Sequence, residues 1–578
     1  MGKFGDAEAL KEGIRRFLPG SQAASRPPLN VGSVDKADCN FRSKSNGNLV
    51  SLAQSCSSRA AAFRCTGDDM AGISEGLGVL ALAADAATGR PQGTGLSAAI
   101  VATEFARRIG ESEETQKDAY YLALVRFIGC TITSHETGML SIGDDQGFAV
   151  ATMLGDWADR EDLKMYLNRF IAHEAPEDER EAAFNFICDI LPDAAPDFTA
   201  AHCRQSYLLA SRLPVSKAVL DCTPYYYARW DGKILPFGGE DVPYLSRLVR
   251  ITELAELVRR LENSARAKEV IAAKLGHELD PELGAKFLEH ADAVFQVASA
   301  TPEFEAFVAA EPGTQIQMTA QCRETLAEVA ADMTDHKATC FRSHSRRVAG
   351  LAAQAAQIAK LPRESVENLR LTALVHDIGK CAISNRIWYK EDALSVSERL
   401  EMERHTFQTQ FFLSHGTPFA EWADVAASAQ ERADGSGYHR RSQLSDLASN
   451  ILAAANEYDE LTHGTPARPP MDAKAAADEL NEMAKSRKFM PTAVSLVLQA
   501  AGHMVKDAGA SLPFGLTRRE AQVLSRLAKS ETTAEIAESL GISPKTADHH
   551  IQSIYNKTDI RARPALALFA LEHGVVMD

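Results

Sequence analysis

Histidine and aspartate stand side by side at His376-Asp377, where the apolar run LTALVHDIGK ends, and Lys380 follows close behind. Neighbouring helical side chains are about 100 degrees apart, so both can reach one cavity between helices. An imidazole nitrogen with a carboxylate oxygen suits a divalent metal of hard to borderline character. Two more histidines fall on separate helical stretches, His344 ahead of the pair and His405 in ERLEMERHTFQTQFF behind it, and ADGSGYHRR adds a glycine-rich turn. Each residue also has a plainer role open to it. A buried histidine can simply donate to a carbonyl, and Lys380 can cap a helix C-terminus, where a cation is favoured. His415, His439, His463 and His503 have no partner in the pattern and read as packing or solvent residues.

A second group with chemistry to offer lies at the C-terminal end. Thr517 and Glu520 are spaced as a capping box opening LTRREAQVLSRLAKS, TAEIAESLG closes on Gly541, and Ser543-Pro544 opens SPKTADHHIQSIYNKT. A short helix, a tight turn and a longer helix form the geometry that lays a recognition helix in the major groove. Ala547, Ile551, Ile554 and Tyr555 face inward by helical spacing, which leaves Lys545, Thr546, Asp548, His549, Gln552 and Lys557 outward. Lys545, Thr546 and Lys557 suit phosphate contacts, while His549 and Gln552 suit base edges. The bland alternative is a helical packing module that binds no DNA.

Both groups carry a family resemblance. His344-Ser345 with Val348, the run His376-Asp377-Ile378-Gly379-Lys380, His405 and Asp434-Gly435-Ser436-Gly437-Tyr438, preceded by Asp335 and Lys337, resemble an HD-GYP phosphohydrolase over about residues 320–465. The resemblance implies a site of two or three metals that activates water to cut a phosphodiester, often in cyclic di-GMP. In that family the HD aspartate bridges metals and the lysine meets phosphate, so His344, His376, Asp377 and His405 become metal candidates and Asp377 and Lys380 catalytic ones. The implied cofactor is a divalent transition metal of the iron or manganese type. This chain departs from the pattern where metal is held. Ala429 and Gln430 stand where the family has two histidines, Asn456 stands where it has its late aspartate, and the turn ends Gly-Tyr-His. Asp459 follows three residues on and replaces the lost ligand only if the helix end rearranges. At the C-terminus, Leu516-Thr517 with Glu520, Glu535-Ile536-Ala537, and Ile542-Ser543-Pro544-Lys545-Thr546 with His550 and Tyr555 resemble a LuxR-type DNA-binding domain.

The elements that must position these residues repeat along the chain. TGLSAAIVATEFARRIG followed by YYLALVRFIGCTITSHE parallels RSHSRRVAGLAAQAAQIA followed by LTALVHDIGKCAISNRI, and ARWDGKILPF parallels ERADGSGYHR. In the first copy Arg126-Phe127 replaces the His-Asp pair, Thr94 or a near neighbour replaces His344, Tyr226-Tyr227 matches Ala429-Gln430, and Glu253 matches Asn456. No metal constellation survives there. His135-Glu136 is an isolated pair that reads better as loop residues. The expected fold is all-α: two tandem HD-GYP-like helical domains at 70–310 and 311–510, then a four-helix LuxR-type helix-turn-helix domain at 514–578. The stretch around Leu254 to Leu275 and ATPEFEAFVAAEPGT read as connections. Residues 1–69, rich in Ser, Asn, Gly and Arg, read as a disordered extension, and Met70 is a candidate start beside Met1.

Composition narrows the function classes. At 578 residues and 45% hydrophobic, the chain can fill several cores, and its longest apolar run near the front, Leu77 to Ala84, is broken by Asp85. No segment reaches the ~18 apolar residues of a membrane span. Ten cysteines without short paired spacings indicate reduced thiols, and the expected compartment is the cytoplasm. The net charge of -16 excludes a general nucleic-acid coat, so DNA contact must be local to the C-terminal domain and supported by homodimerisation. The expectation is a transcriptional regulator whose partners are double-stranded DNA, a second copy, and a nucleotide or phosphorylated small molecule. The rival is a metal-dependent phosphohydrolase with a DNA-binding appendage.

Overall fold

The computed structural model describes residues 72–503 and 516–558, isolated positions within them excepted, together with Ile560, Leu566 and Ala570. The extension at 1–69 and the Met70 start lie outside the described residues, as does most of the fourth helix expected after Thr558. Among the described residues the regular structure is helical, with four isolated bridges and no strand. No helix there is long and apolar enough to cross a membrane.

The helices that matter for function are α1 (Ile73–Ala87), α2 (Thr94–Arg108), α3 (Glu113–Val125), α4 (Glu177–Ala210), α5 (Tyr244–Leu261) and α6 (Glu303–Ala309) in the first repeat. Those of the second are α7 (Ala320–Asp335), α8 (His344–Ile358), α9 (Arg363–Val375), α10 (Asn385–Trp388), α11 (Val396–Leu413) and α12 (Leu447–His463). The repeat read from sequence is present in three dimensions. α2 and α8 each have 15 residues, and α3 and α9 each have 13. In both copies an aspartate in the last turn of the first helix receives a backbone N–H from the second: Gly95 donates to Asp85 at 3.1 Å, and Ser345 donates to Asp335 at 2.8 Å. That bond satisfies an otherwise orphaned amide in the first turn of the helix. In both copies a glycine after the third helix lies against a later one. A Cβ on Gly129 would strike Ser206 of α4, and one on Gly379 would strike the His405 carbonyl and Thr409 N of α11.

One hydrophobic core runs through both repeats, from Ile73 to Leu498. α1 accounts for much of the continuity, because it packs on α2 and α3 and also on α7 and the 3₁₀ turn Ile378–Ala382 of the second repeat. The two connections read from sequence are corrected here. α5 buries Leu254, Ala255, Leu257 and Val258, and α6 inserts Phe307, which is fully buried and stacks on Tyr120 at 5.3 Å. α5 is buried nearly all round, Glu253 and Glu256 included, so it is a core helix rather than a connection.

Residues 516–570 form a separate core of Leu516, Val523, Leu524, Ile536, Ala547, Ile551, Ile554, Leu566 and Ala570. Its helices are α13 (Arg518–Ala528), α14 (Thr533–Ser539) and α15 (Pro544–Thr558). The capping box at Thr517 forms, since the Glu520 N–H donates to Thr517 Oγ1 and the Thr517 N–H to Glu520 Oε2. A second box, Thr532 with Glu535, opens α14.

Candidate functional site

Four helices deliver the second repeat's polar residues to one point. His344 opens α8, His376 ends α9, His405 projects from α11 and Asn456 from α12, and Asp377 follows His376 at the start of the 3₁₀ turn. All five are buried. The sharp exit from α9 depends on Gly379, whose lack of a side chain lets the turn lie on α11; Thr409 then accepts the Gly379 N–H at 3.0 Å and donates to the His376 carbonyl at 3.1 Å.

Ligand-type atoms converge. His344 Nε2 lies 3.2 Å and His376 Nε2 3.3 Å from Asp377 Oδ2, and the two nitrogens lie 3.0 and 3.1 Å from Asn456 Oδ1. His405 Nε2 faces the other Asp377 oxygen at 3.7 Å and is buried without a hydrogen bond. The far nitrogen of each ring is anchored: His376 Nδ1 to the Ala373 carbonyl at 2.7 Å, His405 Nδ1 to the Met402 carbonyl at 2.8 Å, and His344 Nδ1 to Asp459 at 2.7 Å. This is the arrangement that orients histidines on a metal, with Nδ1 tied to an oxygen and Nε2 turned inward. An ion with ligands at about 2.1 Å has coordination edges of about 3.0–3.4 Å, so His344, His376, Asp377 and Asn456 fit a divalent cation.

The electrostatics divide the three rings: two favour the neutral form that ligates, and His344 must give up a proton to do so. Burial pushes His376 down, and His405 to about 4, which favours the neutral imidazole that a metal requires. Burial opposes charge on His344 too, but its hydrogen bonds to Asp377 and Asp459 prevail and raise it to about 10. Asp377 is held well below the carboxylate range despite its burial, by His376, Lys380 and His344. Lys380 is buried, ion-paired with Asp377, 3.9 Å from Glu460 and 4.3 Å from the centre of the Phe341 ring.

Several residues take positions that the sequence did not reveal. α12 is regular through His463, so Asp459 does not substitute for Asn456; it braces His344 from outside and pairs with Arg347 at 2.7 Å. Glu460 joins the site by accepting hydrogen bonds from Gln430 at 3.1 Å and Asn456 at 3.3 Å. Asp459 and Glu460 both lie within one turn of Asn456, a spacing that places them near the same face and was a usable signal. Lys337 is fully buried and donates to the Ile383 carbonyl, which clamps the segment after the His-Asp turn. The glycine-rich turn is fixed by Glu431, whose carboxylate accepts N–H bonds from Arg440, Arg441 and Ser442. His439 and His503 have packing partners, Thr406 at 2.9 Å and Tyr458 at 2.8 Å.

The equivalent place in the first repeat is filled differently. Arg126, at the position of His376, pairs with Glu253 at 2.7 Å and donates to the Tyr226 carbonyl, and both charged side chains are buried. Arg90 covers the Phe127 ring at 3.7 Å. His202 holds the place of His405, a match the sequence comparison missed because the long helix α4 hides the register. Its ring is bonded to Tyr227 at 2.9 Å and Thr133 at 2.5 Å, and burial pushes it down to about 3. Of the isolated pair, the His135 side chain lies outside the described residues.

On α15, Lys545, Thr546, Asp548, His549 and Gln552 are exposed, and Ala547, Ile551 and Ile554 are buried. Thr546 Oγ1 contacts Ser543 Oγ at 2.8 Å at the start of the helix. Lys557 lies apart from the others in its chemistry, half-buried and paired with Glu520 at 2.6 Å. Thr558 sits in the apolar slot with its hydroxyl donated to the Ile554 carbonyl.

The comparisons with known proteins divide along the same lines. The HD domain family matches residues 328–492, and the family described as bacterial regulatory proteins, luxR family, matches residues 515–570. The chain is 24% identical over 434 residues to 3'3'-cGAMP-specific phosphodiesterase 3 of Vibrio cholerae, covering 71% of this chain and 91% of that protein. It is 28% identical over 310 residues to phosphodiesterase 1 of the same name and organism, covering 49% and 69%. A transcriptional regulatory protein of Rhizobium johnstonii is 38% identical over 61 residues, 11% of this chain and 28% of that one. A crystal structure of a V. cholerae cyclic GMP-AMP phosphodiesterase superposes with a TM-score of 0.52 at 20% identity, covering 76% of this chain and 99% of that one. That coverage extends the likeness of fold into the first repeat. The chain thus joins an HD domain, preceded by a second copy of the same helical unit, to a C-terminal LuxR-family helix-turn-helix domain.

Proposed function

We propose that this protein is a DNA-binding transcriptional regulator whose tandem helical repeats receive a nucleotide or phosphorylated small-molecule signal. The supporting observation is the surface of α15, where Lys545, Thr546, His549 and Gln552 are all exposed on a helix held by its apolar face. Lys545 and Thr546 contact phosphate, and His549 and Gln552 read base edges. Lys557, assigned to phosphate by its place in the sequence, contributes only when released from Glu520. The domains are taken as 70–310, 311–510 and 514–578, the regulator acts as a homodimer on paired half-sites, and it works in the cytoplasm. Binding of the full chain to a duplex library at low ionic strength tests the reading. Lys545→Ala is expected to weaken binding to all sequences and lower the salt slope by about 1. Gln552→Ala or His549→Ala is expected to shift base preference by ~1 to 3 kcal/mol at single positions. No preference for any duplex would defeat the proposal.

The convergence of His344, His376 and Asp377 favours a second reading, hydrolysis of a phosphodiester such as a cyclic dinucleotide. A divalent ion of the iron or manganese type would polarise a phosphoryl oxygen and activate water there. The chain's own residues supply the rest: Asp459 and the Ala373 and Met402 carbonyls hold the imidazoles in register, and Lys380 places a positive charge for phosphate beside Asp377. Cleavage of cyclic dinucleotides by the full chain, abolished in Asp377→Asn, would establish this activity; ligand binding without cleavage would favour the sensor.

A further inference from the structure

The donors around Asp377 form two unequal sets. On the Oδ2 side stand His344, His376 and Asn456, with each imidazole Nε2 3.0–3.3 Å from both Asn456 Oδ1 and Asp377 Oδ2. On the Oδ1 side stands His405 alone, at 3.7 Å. Protein sites for a divalent ion supply at least three ligands as a rule, and Asp377 with His405 makes two. The side chains that would complete this half are the methyl of Ala429 and the amide of Gln430, whose Nε2 is committed to Glu460 at 3.1 Å.

Glu460 also accepts from Asn456 at 3.3 Å and lies 3.9 Å from the Lys380 ammonium, which is itself paired with Asp377 and buried over Phe341. Lys380 meets Asp377 at Oδ2, the oxygen that faces His344 and His376, so it adds positive charge to the pocket without adding a ligand on the Oδ1 side. The charge balance points the same way. Arg347 neutralises Asp459 through two contacts of 2.7 and 2.9 Å, and Lys380 offsets one of the two remaining carboxylates, Asp377 and Glu460. One divalent ion brings these groups to a single positive charge, offset in turn by Asp335 buried beside His344, whereas two would leave at least two uncompensated charges in the core.

We propose that each chain binds one divalent ion, at His344, His376, Asp377 and Asn456, and that the Oδ1 side of Asp377, left with His405, holds no second one. This rests on the HD domain being a metal site and is independent of DNA binding. The full chain, stripped with chelator and titrated with Co²⁺ alone, is expected to take up one equivalent, measured by visible absorbance and by metal analysis after desalting. His376→Ala or His344→Gln should abolish uptake, and His405→Ala should keep one equivalent. The double variant Ala429→His with Gln430→His should rise towards two. Two equivalents in the unaltered chain would overturn the proposal, whatever the variants do. So would one equivalent that survives His376→Ala and disappears in His405→Ala, or no uptake at all; none of these results would touch the regulator reading, which the duplex experiment decides separately.

Discussion

At the scale of single residues, the two repeats show the same position solved in two ways. His376 turns Nε2 towards ligand-type oxygens, while Arg126 in the same place fills its cavity with a guanidinium matched by Glu253. Removing one partner of a buried ion pair leaves an uncompensated charge, whereas replacing both with apolar groups of similar size is close to neutral. Arg126→Met is therefore expected to destabilise the protein by roughly 3–5 kcal/mol and Arg126→Met with Glu253→Leu by much less. Chemical denaturation of the three proteins checks this, and equal losses in the single and double variants would count against it. The identities of these residues were plain in the sequence. The repeat placed both at positions of one site but did not reveal their pairing at 2.7 Å, because no spacing rule fixes a contact between helices more than a hundred positions apart.

At the scale of elements, the cap that starts α13 also fastens α15. Glu520 accepts from the Thr517 N–H and from Ser553, and it pairs with Lys557. Burial tends to raise its carboxyl, but Lys557, Ser553 and Thr517 together hold it at about 2. A depressed carboxylate adds stability that is present above its ordinary value and is lost as pH falls through the folded one. The C-terminal domain should thus weaken as pH drops from about 4.5 towards 2. Glu520→Gln should remove most of this acid sensitivity, which is worth on the order of 1 kcal/mol after allowing for solvent at the half-buried lysine. Thermal melts followed at several pH values test it; an unchanged acid slope in the variant would be the contrary result. The Thr517–Glu520 spacing is a local signal and was legible, but that the same glutamate would bind Lys557 was not, because the sequence shows only that Lys557 leaves the apolar face.

At the scale of the molecule, both repeats share one core and the C-terminal domain has its own. Cooperative unfolding follows shared burial, so the full chain should show two calorimetric transitions, one for the joined repeats and one for the DNA-binding domain. Separate transitions for the two repeats would show that α1 does not couple them. The sequence by itself determined the all-α class, the duplication, the motifs and the missing ligands at Ala429, Gln430 and Asn456, because helical period, caps and residue chemistry are local properties. Tertiary structure decided which side chains meet. It turned the supposed connections into core helices, put Asp459 behind His344, made Glu460 a partner of Gln430 and Asn456, and set His202 in the place of His405. Those outcomes depend on how helices distant in sequence cross one another, and that is fixed by the packing of the whole core rather than by any one segment.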